Sequence, residues 1–343
     1  MKSKISVLLF GMLIVLLSCS EKSVKSLKME KQKLKALIID GENNHGVFPK
    51  TTMMMKDYLE ETGLFDVDIA RTKYIWQGPH HNKIEGVDSI QQLLTMYPLA
   101  DGIERTSVKD PVPDPNYQPD FTKYDLVLSN FGWKASTWSD DVKSNFEQFI
   151  KNGGGLVVVH AADNSWGSWE AYNEMIGLGG WDNRSEASGP YVYYNENDSL
   201  VYDKRVGSAG SHGPQSEFIM QNRAKDHPVM RGLPAEFKHA KDELYEKLRG
   251  PAKNMTVLAT ALSDKKVNEK RTGHYEPVLM AIDYGKGRVF HTILGHMDYS
   301  MESVPFITTL QRGSEWAATG KVTQPVPEDF PQNNELVIRK WDR

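Results

Sequence analysis

One stretch decides the fold class of this chain: SDDVKSNFEQFIKNGGGLVVVH, residues 139–160. Ser139 is a favoured N-cap residue, and Asp140 and Asp141 suit the positive end of a helix dipole. Apolar residues then recur at helical spacing until Gly153 ends the helix. The run 155–160 is apolar on both faces, which is typical of a strand covered on both sides in a parallel sheet.

Segments before this stretch show the same alternation. The run 34–40 has the pattern of a buried strand, and a helix-like segment follows from Pro49 to Thr62. Strand patterns return at 65–70 and 124–130. Strands and helices in alternation predict an α/β fold with a doubly wound, mainly parallel sheet.

The second half of the chain predicts a β-rich C-terminal extension. A hairpin is expected over 278–294, and a closing helix over 304–318. The other strand-like pieces after Gly180 are 191–194, 217–221, 243–248 and 255–262. With no internal linker, residues 34–322 are expected to form one domain, followed by a Pro-rich tail at 323–343.

Residues 74–123 interrupt the alternation and are rich in Pro, His and Asp. One helical patch is expected near 90–96, within a segment that we interpret as an insertion lying over the domain. A docking role in a larger assembly, with this insertion as the contact surface, is one hypothesis for it.

Composition excludes several classes of protein. The 41 Lys and Arg against 45 Asp and Glu give a net charge of −4, which argues against a nucleic-acid binder. The single Cys excludes a disulfide framework and a Cys-rich zinc site.

The N-terminus has the features of an export signal. Lys2 and Lys4 precede an apolar run at 5–17, which predicts a signal peptide over 1–18. The sequence LLSC at 16–19 resembles a bacterial lipobox, which implies cleavage before Cys19 and lipidation of its thiol. The competing interpretation is an ordinary signal peptide with an incidental Cys. Residues 19–33 have the composition of a flexible tether, so a lipid-anchored protein of the cell envelope is expected, at the periplasmic face or the outer membrane.

Five motifs carry a resemblance to a known family: NHG at 44–46, GGGLVVVH at 153–160, DHPVMRGLP at 226–234, DELY at 242–245, and Pro277 with YGKGRVF at 284–290 and LGH at 294–296. In this order, from about 34 to 322, the chain resembles the trehalose-utilisation (ThuA-like) family. The resemblance implies a flavodoxin-like sheet of the class I glutamine-amidotransferase superfamily. It also implies a role in sugar catabolism through trehalose and keto-sugar pathways, and a metal in some members.

Three histidines are candidates for one site. His160 ends a strand and precedes AAD at 161–163, where an amidotransferase-like protein would carry its nucleophilic Cys; here that position is His or Ala, which disfavours amidotransferase chemistry. His160 is left as a base, a ligand or a structural residue. Strand carboxyl ends at a switch point bind ligands in open α/β sheets, and this rule places His45 near His160. His296 follows the last strand, with Asp298 in a His-x-Asp pattern that would let a carboxylate orient the imidazole.

Convergence of His45, His160 and His296 would create a divalent metal site, for Zn²⁺ or Mn²⁺, with an open coordination position. No closely spaced ligand motif supports this cofactor, and adventitious binding is the alternative.

Two further groups of residues are candidates for sugar chemistry. Glu243 is a candidate general acid or base together with His160 and Asp298, because sugar-processing enzymes commonly use carboxylates; a solvated surface charge is the alternative. Trp133, Trp166 and Tyr245 are candidate substrate-binding residues, since flat amphipathic rings suit sugar faces, although such rings also fill cores.

Other histidines carry weaker expectations. His227 and His291 are interpreted as structural, and no pattern selects His80, His81 or His212.

Two functional hypotheses follow. The first is an extracytoplasmic enzyme, a metal-assisted hydrolase, lyase or isomerase, that acts on a small sugar or keto-sugar. The alternative is a non-catalytic sugar-binding lipoprotein with the same fold. Protein partners and oligomeric state are left open.

Overall fold

The computed structural model describes residues 32–76, 78–332 and 334–342, so the expected signal peptide and Cys19 lie outside the described residues. Strands and α-helices alternate over residues 34–176, strands alone follow over 191–292, and two helices come last. The strands are β1 Leu34–Asp40, β2 Phe65–Arg71, β3 Tyr74–Trp76, β4 Thr106–Val108, β5 Leu126–Ser129, β6 Gly155–Val159, β7 Tyr191–Tyr194, β8 Leu200–Asp203, β9 Ser211–His212, β10 Ser216–Asn222, β11 Glu236–Asp242, β12 Tyr245–Glu246, β13 Met255–Leu262, β14 Tyr275–Tyr284 and β15 Gly287–Thr292. The α-helices are α1 Phe48–Glu60, α2 Ile90–Met96, α3 Asp140–Lys151, α4 Glu170–Ile176, α5 Asp298–Met301 and α6 Val304–Thr319.

One side of the sheet is a block of parallel strands that ends at β2. The strand order is β11-β10-β13-β14-β15-β6-β5-β1-β2, and the pairs from β15 to β2 are parallel. The strands from β14 to β11 continue the same sheet as antiparallel neighbours, and β7 pairs with both β14 and β8. The fold is therefore mixed α/β, and its parallel strands bring their carboxyl ends to one edge.

The stretch 139–160 forms the elements that its pattern predicts. The Ser139 side chain accepts a hydrogen bond from the Val142 N–H and caps α3. Every residue of β6 is buried, and α6 packs against β6 and β15. Because both faces of β6 are covered, the apolar side chains of its continuous run are all buried in the core. The expected helix near 90–96 and the strand at 255–262 are also confirmed.

One expected strand is wrong. Within 243–248 only Tyr245 and Glu246 are extended, and the longer strand β11 comes just before them. This strand was missed because buried polar residues interrupt its apolar pattern. His239 and Asp242 are fully buried in it, and they satisfy each other through a hydrogen bond of 2.8 Å.

The C-terminal segment packs against the domain. Phe330 is buried, with its ring 5.1 Å from that of Phe237, and the Arg339 N–H donates to the Glu302 carbonyl. Residues 33–343 form one unit by their contacts. Among the described residues, no helix combines the length and the apolar character that crossing a bilayer requires.

A buried carboxyl in β14 makes stability depend on pH. Burial, with the nearby Glu246 carboxylate, raises the pKa of Glu276 to about 8, well above the value of about 4.3 in an unfolded chain. The folded state therefore holds the extra proton between these pH values, and the free energy of unfolding falls as the pH rises from about 5 to about 8.

We expect Glu276→Gln to flatten this decline in urea unfolding measured across that pH range. Glu196→Gln, a matched change at an exposed site, should keep the wild-type slope, and an unchanged slope in Glu276→Gln would contradict the assignment.

Candidate functional site

Four buried side chains converge at the carboxyl edge of the parallel strands. His45 lies in the loop after β1, His160 directly follows β6, Glu243 follows β11, and His296 follows β15. One potential ligand atom from each lies within 4.8 Å of the others. The sheet topology thus unites residues that are far apart in sequence, as expected for a site at strand carboxyl ends.

The protonation of His160 follows from its hydrogen bonds. Nδ1 lies 2.6 Å from the Ile293 carbonyl oxygen, which can only accept, so Nδ1 carries a proton. Nε2 lies 2.9 Å from the Tyr245 hydroxyl and therefore accepts its proton. Burial, with the neighbouring His296, lowers the pKa of His160. Its backbone has φ 47°, a left-handed conformation that non-glycine residues adopt mainly where surrounding structure enforces it.

His45 is held by the amide of Asn43. The Asn43 Oδ1 lies 2.8 Å from the His45 backbone nitrogen and 3.2 Å from its Nδ1, so it accepts from both. Burial, with the nearby His160, lowers the pKa of His45 well below its usual value. The ring is therefore neutral, and its Nε2 keeps a lone pair for a ligand.

A buried hydrogen-bond network extends from Asn43 to an ion pair. Asn43 Nδ2 donates to the Asn130 carbonyl (3.0 Å), and Asn130 Nδ2 donates to the Thr52 hydroxyl (2.9 Å). That hydroxyl donates to Asp40 (2.6 Å), which also binds the Arg71 guanidinium through two bonds of 2.8 and 2.7 Å. The loop after β1 is thus fixed by partners in β2, α1 and the segment after β5.

His296 and Glu243 face each other, but the His296 imidazole is not fully hydrogen-bonded. The Nδ1 of His296 lies 3.0 Å from a Glu243 carboxylate oxygen, but neither ring nitrogen makes a hydrogen bond of normal geometry with any described residue. Burial disfavours the charge on Glu243, yet contact with His296 outweighs it and lowers the pKa to about 2. An ionised carboxylate and an unpartnered buried imidazole are thus directed at one point.

Asp242 positions both of these residues. One carboxylate oxygen accepts the backbone N–H of Glu243 (2.8 Å) and of His296 (3.0 Å). The other accepts from His239 Nε2 (2.8 Å) and from the Gly295 N–H (2.8 Å). Burial opposes ionisation of Asp242, but these bonds prevail and lower its pKa to about 2.

These donors fit a divalent metal. His45, His296 and Glu243 supply two imidazoles and one carboxylate, a set typical of Zn²⁺ and Mn²⁺ sites, and unpartnered ring nitrogens are otherwise costly in a buried position. His160 is the fourth member of the cluster, but its Nε2 is occupied by Tyr245 and would bind a metal only once that hydroxyl turns away.

A cavity of about 490 Å³ opens over the cluster, a size typical of small-molecule sites. Two indole rings and two side-chain amides are among the groups that line it. Its lining consists of Asn44, His45, His80, Lys83, Trp133, Asn164, Trp181, His212, Glu243 and Tyr245.

The structure brings some of the expected sugar-binding and catalytic residues to this cavity and not others. Trp133 lines it with 37% of its surface exposed, and Tyr245 lines its floor. Trp166 lies outside the lining, packed against Trp138 with its indole N–H donating to a backbone carbonyl. Asp298 is also outside, because its carboxylate pairs with Lys50 Nζ at 2.6 Å.

Sequence reasoning missed His80, which the insertion delivers to the cavity. Its ring centroid lies 4.9 Å from that of His45 and 5.0 Å from that of His296, and its buried Nδ1 has no hydrogen-bond partner in the described part of the chain. Burial, with nearby Lys83, lowers the pKa of His80 to about 4. Its approach depends on close backbone packing, because a Cβ on Gly46 would lie 2.5 Å from the Gly78 carbonyl oxygen. No local pattern encodes such a contact.

Comparison with known proteins agrees with this architecture. The family profile described as ThuA, trehalose utilisation, matches residues 72–317. This chain belongs to the ThuA family. A ThuA-like protein from Parabacteroides merdae is 38% identical, with a TM-score of 0.74, over 90% of this chain and 98% of its own. One from Bacteroides uniformis is 16% identical, with a TM-score of 0.48, over 84% and 93% of the two chains. No curated protein matches the chain.

Metal binding is the first test of the cluster in this ThuA protein. We expect isothermal titration with Zn²⁺ or Mn²⁺ to show one site, and His296→Ala to weaken it by at least about tenfold, because a ligand is removed. His274→Ala removes an imidazole outside the cavity and should bind as wild type does. Equal affinities in both variants would show that the cluster is not the metal site.

Substitution of Asp242 tests whether its carboxylate positions Glu243 and His296. An Asp242→Asn substitution places an amide donor among four donors, so we expect a loss of about 3 kcal/mol or more in unfolding free energy and about 10–100-fold weaker metal binding. Asp283→Asn changes an exposed carboxylate and serves as the control. Retention of full metal affinity by a folded Asp242→Asn protein would contradict the role given to Asp242.

Proposed function

We propose that this chain is a carbohydrate-processing protein of the ThuA family that acts on a sugar or keto-sugar at the His-lined cavity. The observation that carries the proposal is the buried cluster of His45, His160, Glu243 and His296 at the base of a cavity with aromatic walls. The family description, trehalose utilisation, supports sugar metabolism as the setting.

Aromatic and amide groups of the cavity suit a sugar ring. Trp133 and Trp181 provide flat apolar surfaces on which the C–H face of a sugar can stack. Asn44 and Asn164 provide donors and acceptors that match its hydroxyl groups. Their combination is more suitable for a small polar ring than for an extended apolar ligand.

The residues at this cavity are assigned two chemical roles, ion binding and proton transfer. His45, His296 and Glu243 would hold a divalent ion, which when bound would supply a Lewis acid for a sugar oxygen. Because the pKa of Glu243 is lowered to about 2, its carboxylate is a suitable ligand and a weak base. Proton transfer is therefore assigned to residues other than Glu243.

Tyr245 and His160 form a proton relay in this proposal. A proton taken from the substrate onto the Tyr245 oxygen displaces the hydroxyl proton, which passes to His160 Nε2 along the existing 2.9 Å hydrogen bond. The Ile293 carbonyl, 2.6 Å from Nδ1, stabilises the resulting imidazolium. A relay of this kind suits reactions that begin with proton removal, namely elimination or isomerisation, and in hydrolysis it would activate water.

We also propose a membrane anchor for the domain and a flavodoxin-like topology for its sheet. A lipid anchor at Cys19 would hold the domain at the cell envelope, and the tether 19–33 would separate it from the membrane. The strand order supports a doubly wound, flavodoxin-like sheet with the antiparallel strands as a β-rich extension.

A substrate panel tests the proposal. Residues 20–343 would be incubated with disaccharides and their keto derivatives, with and without Zn²⁺ or Mn²⁺, and followed by proton NMR. We expect new product signals with the wild-type protein and with His274→Ala, and none with His296→Ala. Broadened sugar signals without products would favour the non-catalytic binding protein, and no response to any sugar would contradict the proposal.

Removal of the Tyr245 hydroxyl separates ligand binding from turnover. The Tyr245→Phe protein loses the proton relay but frees His160 Nε2, so we expect turnover to fall by about 10²–10⁴-fold while metal affinity is kept or increased. Tyr299→Phe, outside the cavity lining, is the matched control. A parallel loss of metal binding and turnover in Tyr245→Phe would show a structural role instead.

A further inference from the structure

A second cavity, of about 500 Å³, adjoins the first at His212, which lines both. The short ribbon of β9 and β12 separates them, since Tyr245 lines the first cavity and its neighbour Glu246 lines the second. The full lining of the second cavity is Ser211, His212, Gly213, Pro214, Glu246, Lys247, Asn268, Lys270 and Arg271.

Positive charge dominates this second cavity. Lys247, Lys270 and Arg271 line it against a single carboxylate, that of Glu246. Glu246 is 2% exposed and already accepts hydrogen bonds from the Ser263 hydroxyl (2.6 Å) and the Ser211 hydroxyl (3.2 Å). It therefore cannot neutralise three cations.

The arginine is built into the wall and incompletely satisfied. Arg271 is 4% exposed, and its NH1 lies 3.7 Å from Glu246, beyond hydrogen-bonding distance. Its NH2 donates to the Pro214 carbonyl (2.8 Å) and to the Ser216 hydroxyl (3.4 Å), but its Nε has no hydrogen-bond partner among the described residues. Gly213 allows this packing, because a Cβ there would lie 2.6 Å from Nε.

The two lysines are available to a ligand. Among the described residues, neither Lys247 nor Lys270 makes an ion pair within 4.0 Å. The Lys247 backbone has φ 55°, a left-handed conformation that is unfavourable for a lysine unless the surroundings require it. Unpaired cations beside a desolvated guanidinium are the arrangement that recognises a carboxylate or a phosphate.

We propose that the second cavity binds an anionic group, a carboxylate or a phosphate, carried by the part of the substrate that extends past His212 from the ring held in the first cavity. This inference rests on the proposed function, which it deepens, because it makes the natural substrate an acidic sugar derivative. Neutral sugars would occupy the first cavity alone and bind more weakly.

Anion binding is tested with three probes, D-glucuronate, inorganic phosphate and D-glucose, by isothermal titration against the full protein and two double variants. Lys247→Gln with Lys270→Gln removes two cations from the cavity, whereas Lys265→Gln with Lys266→Gln removes two exposed lysines of the same region that do not line it. We expect the cavity variant to lose at least about tenfold in affinity for glucuronate or phosphate, because two charge-assisted contacts with the anion are removed. Glucose affinity should change by less than about twofold, and the control variant should match the wild type.

The pattern of affinity losses distinguishes a carboxylate from a phosphate. It also distinguishes a failure of the anion-site inference from a failure of the proposed function. A loss for glucuronate alone identifies a carboxylate group, and a loss for phosphate alone identifies a phosphate ester. Equal affinities of the two double variants for both anions, or no anion binding by the wild type, would overturn this inference while leaving turnover of neutral sugars untouched. Anion binding that depends on Lys247 and Lys270, with no turnover of any sugar, would instead contradict the proposed function alone.

Discussion

The geometry of the site depends on one buried carboxylate, that of Asp242. It is fully buried and accepts four hydrogen bonds, two of them from the backbone N–H groups of Glu243 and His296. A charge in the core must be satisfied at each lone pair, so it fixes the surrounding groups as strictly as they fix it. The loops after β11 and β15 are consequently locked to each other, and the two side chains that they carry meet at 3.0 Å.

A second carboxylate-centred network holds the other side of the cluster. The Asp40–Arg71 pair anchors Thr52 and Asn130, and through Asn43 it orients His45. Among the described residues, the ring nitrogens of His296 and the Nδ1 of His80 lack a hydrogen-bond partner at this site. Leaving a buried polar group unpaired costs about 1–3 kcal/mol. Such a cost is characteristic of a position prepared for a ligand that supplies the missing partner.

Periodicity and topology rules were sufficient to predict the core of the fold. The apolar runs at 34–40 and 155–160, with Ser139 as a cap, predict parallel strands and a covering helix, and strand carboxyl ends then place His45 and His160 together. The same reasoning could not identify Asp242 or His80. Their positions depend on long-range hydrogen bonds and close backbone packing that leave no local periodicity. Trp166 illustrates the opposite error, because composition alone does not distinguish an indole in the core from one at a cavity wall.

The spacing of the cluster along the chain has a consequence for how the protein matures. Its members are spread from residue 45 to residue 296, so a segment that contains the complete set must extend at least over this range. Closing so long a loop has an entropic cost that only the finished core offsets. An ion held by His45, Glu243 and His296 would therefore bind most tightly to a state in which these distant loops are already together. By mass action it would then shift the folding equilibrium toward the native state, in proportion to RT ln(1 + [L]/Kd).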